Sequence, residues 1–209
     1  MLTALAHLQQ DPILARLIAE TPDLKPSHHH ADIPETDRLY VALLSSIVSQ
    51  QISVKAAEAI FRRFRLLFSE TAQAEGYPTP AQLLQKTPDE LRTAGLSGQK
   101  ATYLHSVAAF ALEKPLTLAH LAPLTDEDVV QYLLPIKGVG RWTVEMLLMF
   151  VLDRPDVFPI DDLVIRQKMC LAYGLTLTGK PLYRELQALA AAWQPHRTLA
   201  CRYLWRWKA

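Results

Sequence analysis

The run Leu134-Pro-Ile-Lys-Gly-Val-Gly-Arg-Trp-Thr-Val-Glu-Met146 limits the fold more than any other part of the chain. Gly138 and Gly140 flank one small apolar residue, Val139. Glycine accepts positive φ and lets another backbone come close, so Gly-x-Gly predicts a tight reversal. Before it, Thr125 and Asp128 are spaced as a helix-start pair, for a helix running to about Leu134. After it, Trp142, Met146, Leu147, Met149 and Phe150 fall at helical spacing in a segment that reaches Leu152. The pattern is helix, glycine turn, helix. The second helix opens with backbone N–H groups that lack intrahelical acceptors, which suits a phosphate oxygen.

The rest of the chain also reads as helix. Met1 to Glu20 predicts one or two short helices, with Asp11-Pro12 as a start signal. Asp37 to Gln51 is strongly apolar, and Ser53 is a good N-cap for a following helix that carries Ala57, Ile60, Phe61 and Phe64 on one side. Thr79-Pro80 and Thr87-Pro88 are cap-then-proline starts. Gly95 to Ala101 opens another helix, with Lys100 near its N-terminus as a phosphate contact, and Leu116 to Leu124 reads as a connector. A helix after Asp162 runs to about Tyr173, capped by Asp161, and another starts near Gly179 or Lys180. No strand-length alternation bounded by hairpin turns is found, so the fold class is all-α.

Bulk properties exclude several classes. Half of the 209 residues are hydrophobic, which argues against disorder and allows a sizeable core. The net charge of +1 does not suit a sequence-independent DNA coat and asks for a local basic face instead. The two cysteines, Cys170 and Cys201, are too few to hold a zinc or iron–sulfur site alone and read as thiols in a reducing compartment. His28-His29-His30 reads as a solvated loop, since consecutive residues rarely converge on one ion. The N-terminus lacks the basic region of a signal peptide, and no apolar run approaches the ~20 residues that span a membrane. The expected location is cytoplasm or nucleoid in a bacterium and nucleus in a eukaryote, without secretion.

Four motifs together carry a resemblance. They are Ile136-Lys-Gly-Val-Gly140 with Trp142-Thr143; Phe158-Pro159-x-x-Asp162; Ser49-Gln-Gln-Ile-Ser-Val-Lys-Ala-Ala57; and Trp193-x-Pro195-x-Arg197-Thr198 with Trp205. In this combination the chain resembles the helix-hairpin-helix DNA glycosylase superfamily, and within it the 3-methyladenine DNA glycosylase II branch of the AlkA and yeast MAG type. The resemblance implies two helical lobes with a DNA cleft between them. One lobe would run from about 37 to 152, and the other would hold 1–36 and 153–209. It also implies a monomer that acts on double-stranded DNA containing damaged bases, with no membrane partner.

The resemblance further implies roles for residues. Asp162 would be the catalytic carboxylate, stabilising positive charge on the sugar as the glycosidic bond breaks. The hairpin, with Lys137, Gly138, Val139, Gly140, Arg141 and Thr143, would grip the DNA backbone. Gln50, Gln51, Ile52 and Ser53 would face DNA too, with Gln51 filling the gap left by a flipped base. Trp142, Trp205, Phe158, Tyr40 and Met146 would line the base pocket, because an electron-poor alkylated purine stacks on electron-rich rings. Met146 departs from a family member that has tyrosine there, which affects substrate range. No cofactor is required, but a structural Na+ or K+ would sit on the carbonyls of Leu134, Ile136 and Val139. Relatives that also cut the strand carry a lysine where this chain has Trp142. Indole cannot form an imine, so the implied enzyme is a monofunctional hydrolase. Two other readings stay open: a glycosylase for another lesion, and a non-catalytic DNA-binding module, which would need neither Asp162 nor the tail tryptophans.

Overall fold

The computed structural model describes residues 2–22, 24, 33–69 and 76–208. The His28–His30 run lies outside them. Among the described residues there are thirteen helices and no strand. The chain forms two compact units, one of Met1–His29 with Leu148–Ala209 and the other of His30–Leu147.

The second unit is built around two apolar helices, α3 (Glu35–Ser49) and α7 (Gly98–Glu113), which pack on each other. Leu39, Leu43, Leu44 and Ile47 of α3 are fully buried, as are Ala101, Leu104 and Val107 of α7. Ser53 caps α4 (Val54–Leu66), as its position in the sequence predicts. Thr79 and Thr87 form complete capping boxes with Gln82 and Glu90, and start α5 (Pro80–Gln85) and α6 (Pro88–Arg92). The connector contains one short helix, α8 (Leu118–Leu121), which Thr117 caps. Thr125 starts α9 (Asp126–Leu133), and the glycine turn leads into α10 (Arg141–Phe150).

The first unit begins with α1 (Leu2–Leu8) and α2 (Pro12–Glu20). Asp11 caps α2 through Oδ1, while its Oδ2 accepts hydrogen bonds from the Tyr173 hydroxyl at 2.5 Å and the Trp193 indole at 3.1 Å. Burial and the adjacent Asp11 carboxylate push the Tyr173 pKa up, so its phenol stays a proton donor. The remaining helices are α11 (Leu163–Tyr173), ended by Gly174 in the left-handed conformation, α12 (Gly179–Ala191) and α13 (Arg197–Arg206). Helix α13 packs on α2 and α11 around the buried side chains Leu17, Ile165, Met169 and Leu204.

Candidate active site

In the second unit the glycine turn is seated on α7. Gly138 has φ +87, and a Cβ added there would lie 2.3 Å from the Tyr103 ring. Backbone conformation and space therefore both require glycine. Gly140 does not share this need: its φ is not positive, and a Cβ would meet open space. Only the first glycine makes the turn, and the second keeps the surface low. Lys137 donates its N–H to the Ser106 hydroxyl at 2.9 Å, and its side chain is exposed. Val139 and Ile136 are buried and anchor the turn from below.

The two ends of the hairpin are tied by charge. Arg141 at the start of α10 donates to both carboxylate oxygens of Glu127 on α9 at 2.8 Å. The guanidinium, then the Gln131 amide, holds the Glu127 carboxyl below its ordinary range. Arg141 is thus engaged within the hairpin. Thr143 differs from its neighbours in the hairpin. It is buried, because the helical period places it with Leu147 on the inner side of α10, which leaves its backbone N–H in the first turn as the group a phosphate would meet. Trp142 points the other way and is 43% exposed; Met146 is half-buried.

The segment from Ser49 to Ile52 is a type II turn. Gln50 has φ −53 and ψ 130, Gln51 has φ +58, and the Ile52 N–H reaches the Ser49 carbonyl at 3.5 Å. Glycine or asparagine is usual where Gln51 stands, so this glutamine is held in a strained conformation. Gln51, Ile52 and Ser53 are exposed. Gln50 is not free for DNA, since its amide donates to the Gly138 carbonyl at 3.0 Å. Lys100 also differs from expectation. Its ammonium donates to the carbonyls of Val48 at 2.7 Å and Gln50 at 2.8 Å, and desolvation lowers its pKa. Tyr40 on α3 is buried, and its hydroxyl has no hydrogen-bond partner among the described residues. Burial pushes its pKa up, so it remains a neutral phenol.

In the first unit Asp162, not Asp161, is the N-cap of α11. The Asp162 N–H is taken by the Pro159 carbonyl at 2.9 Å, which turns the carboxylate back onto the helix start. Its Oδ1 accepts the Ile165 N–H at 2.8 Å and the Trp205 indole N–H at 3.2 Å. Asp161 is exposed and accepts the Tyr183 hydroxyl at 3.1 Å instead. Asp162 is 7% exposed. A carboxylate so buried, and held by two N–H donors, is fixed in one orientation.

Trp205 is half-buried, with its ring tilted 32° to Phe150 at 5.6 Å. Its indole orients the carboxylate, a role the sequence reading did not assign. Phe158 makes an edge contact with the buried Trp193 at 6.0 Å, which makes it a support for the loop more than a free stacking face. That loop is bolted to the start of α13. Arg197 makes a two-pronged ion pair with Asp156 at 2.8 Å. The Thr198 hydroxyl donates to the Arg154 carbonyl at 2.6 Å and accepts the Val157 N–H at 3.0 Å. The Arg-Thr pair in the last sequence motif thus fixes the loop that carries Asp162.

Comparisons with known proteins bear on the family and the fold. Residues 44–195 match the model of the family described as HhH-GPD superfamily base excision DNA repair protein. The chain is 37% identical over 168 residues to DNA-3-methyladenine glycosylase 1 of Schizosaccharomyces pombe, covering 80% of this chain and 71% of that protein. It is 32% identical to the alkylbase DNA glycosidase-like protein mag2 of the same yeast, covering 80% and 76%. Among solved structures it is similar to the S. pombe 3-methyladenine DNA glycosylase Mag1 in complex with abasic DNA. That match has a TM-score of 0.81 and 33% identity, covering 97% of this chain and 95% of the other.

Proposed function

The chain belongs to the HhH-GPD superfamily of base excision DNA repair proteins, and we propose that it is a monofunctional glycosylase that excises alkylated purines from double-stranded DNA. The observation that carries the reading is Asp162, a buried carboxylate held by a helix N-terminus and an indole. The names of its relatives, which are 3-methyladenine glycosylases, support the choice of lesion.

The chemistry follows from charge. Alkylation at purine N3 or N7 makes the base cationic and a good leaving group. The barrier then lies in exposing the base and in stabilising the oxocarbenium character that develops on the sugar. Flipping a nucleotide costs roughly a few kcal/mol. The hairpin grips the backbone at Gly140 and Lys137, and exposed Gln51 fills the vacated stack, where its amide can hydrogen-bond the orphaned base. The Asp162 carboxylate faces the sugar cation, and water adds at the anomeric carbon. Trp142 offers an exposed face to a cationic base. Position 142 supplies no amine, so no imine forms.

A sodium or potassium ion on the hairpin belongs to the same proposal. Oxygen ligands suit such an ion. Of the three carbonyls, that of Ile136 already accepts the Val139 N–H at 3.0 Å and keeps a second lone pair. The ion would fix the turn and take no part in bond breaking. The protein acts as a monomer. The test is to incubate it with methylated double-stranded DNA and identify the products. Free 3-methyladenine or 7-methylguanine above an uncut strand is expected; release of only deaminated or oxidised bases, or of none, would overturn the reading.

A further inference from the structure

We propose that Lys100 is the positioning residue of the stack-filling turn and that, through α7, this turn and the glycine hairpin form one rigid piece. The inference rests on the glycosylase reading and deepens it.

Three residues spaced by three along α7 each hold one part of the DNA-facing surface of the second unit. Lys100 donates to the carbonyls of Val48 and Gln50 at the end of α3. Tyr103 fills the space beside Gly138, and Ser106 accepts the Lys137 N–H. Gln50 closes the circuit by donating to the Gly138 carbonyl. The last carbonyls of a helix lack intrahelical partners and carry partial negative charge, so an ammonium there satisfies and neutralises them. With both carbonyls fixed, Gln51 is held at φ +58, a conformation its side chain would otherwise disfavour. The consequence is a Gln51 side chain presented outward at a set distance from the hairpin. Gripping the backbone and filling the stack then occur in one docking event, with no loop left to order.

This role differs from that of a phosphate contact, and the two are separable by experiment. Lys100→Met is compared with wild type by fluorescence anisotropy on an intact duplex and on one with an abasic-site analogue, across a salt series, together with single-turnover excision from methylated duplex. The expected result is a loss of about tenfold in preference for the abasic duplex, the usual scale for a charged hydrogen-bond donor, with the slope of affinity against salt unchanged. Lys100→Arg should restore most of the preference. Equal losses on both duplexes, with a salt slope lower by about one, would make Lys100 a phosphate contact and overturn the proposal. Unchanged preference would overturn it too. If circular dichroism shows Lys100→Met unfolded, Gln50→Leu carries the test, since it cuts the tie to Gly138 at a partly exposed position. A wild-type protein that releases no methylated base would count against the glycosylase reading, while the binding ratios would still judge Lys100.

Discussion

At the scale of the residue, one oxygen performs two jobs. Asp162 Oδ1 caps α11 and accepts the Trp205 indole, so helix start, tail and charge are fixed together. Trp205→Phe keeps a ring against Phe150 and removes the N–H donor. It should lower single-turnover excision by about tenfold, on the scale of one hydrogen bond to a charged group, with little change in DNA affinity. An unchanged rate would show that the indole does not orient the carboxylate. Asp161→Ala should leave excision as it is, because Asp161 points to Tyr183. The choice between these neighbours was legible only in part. Both are aspartates and suit a helix start, and the sequence reading gave the cap to Asp161. The Pro159 carbonyl, which captures the Asp162 N–H, decides otherwise, and that turn has no signature beyond the proline itself.

At the scale of the element, the two glycines of the hairpin should separate. Gly138→Ala places a methyl group 2.3 Å from the Tyr103 ring at a left-handed backbone position, and should destabilise the protein by several kcal/mol. Gly140→Ala meets open space and should leave the melting temperature nearly unchanged. It should still weaken binding to damaged and undamaged duplex alike, because a backbone contact positions without reading sequence. Thermal melting and anisotropy on both variants check this, and normal binding by Gly140→Ala would remove the second glycine from the DNA surface. Helix starts were the most legible elements: Ser53, Thr79 and Thr87 cap where their sequence positions place them. The inward turn of Thr143 was readable in principle, since it falls four residues before buried Leu147. Lys100 and Gln50 were not readable. Their partners are 52 and 88 positions away, and nothing local distinguishes a lysine bound for a carbonyl from one bound for a phosphate.

At the scale of the molecule, the first unit depends on a joint between distant segments. The loop before Asp162 is held by Arg197 and Thr198 from the last helix. Thr198→Val removes a buried acceptor for the Val157 N–H and should cost about 1–3 kcal/mol in stability, read by denaturant unfolding. The family was legible because its motifs are local runs; the joints that make those runs work are long-range, and only the fold brings them together. The absence of a lysine at position 142 has a whole-molecule consequence as well. Borohydride should trap no covalent adduct with damaged DNA, and a complex surviving denaturing electrophoresis would show that another amine acts. The central claim concerns the Asp162 charge. Single-turnover release of 3-methyladenine is measured for wild type and Asp162→Asn, with affinity for damaged duplex in parallel. Asparagine keeps the cap and an acceptor for Trp205, so the fold should persist. Release should fall by ~10²-fold or more with affinity within about tenfold; near-normal release by Asp162→Asn would contradict the assignment of this carboxylate to catalysis.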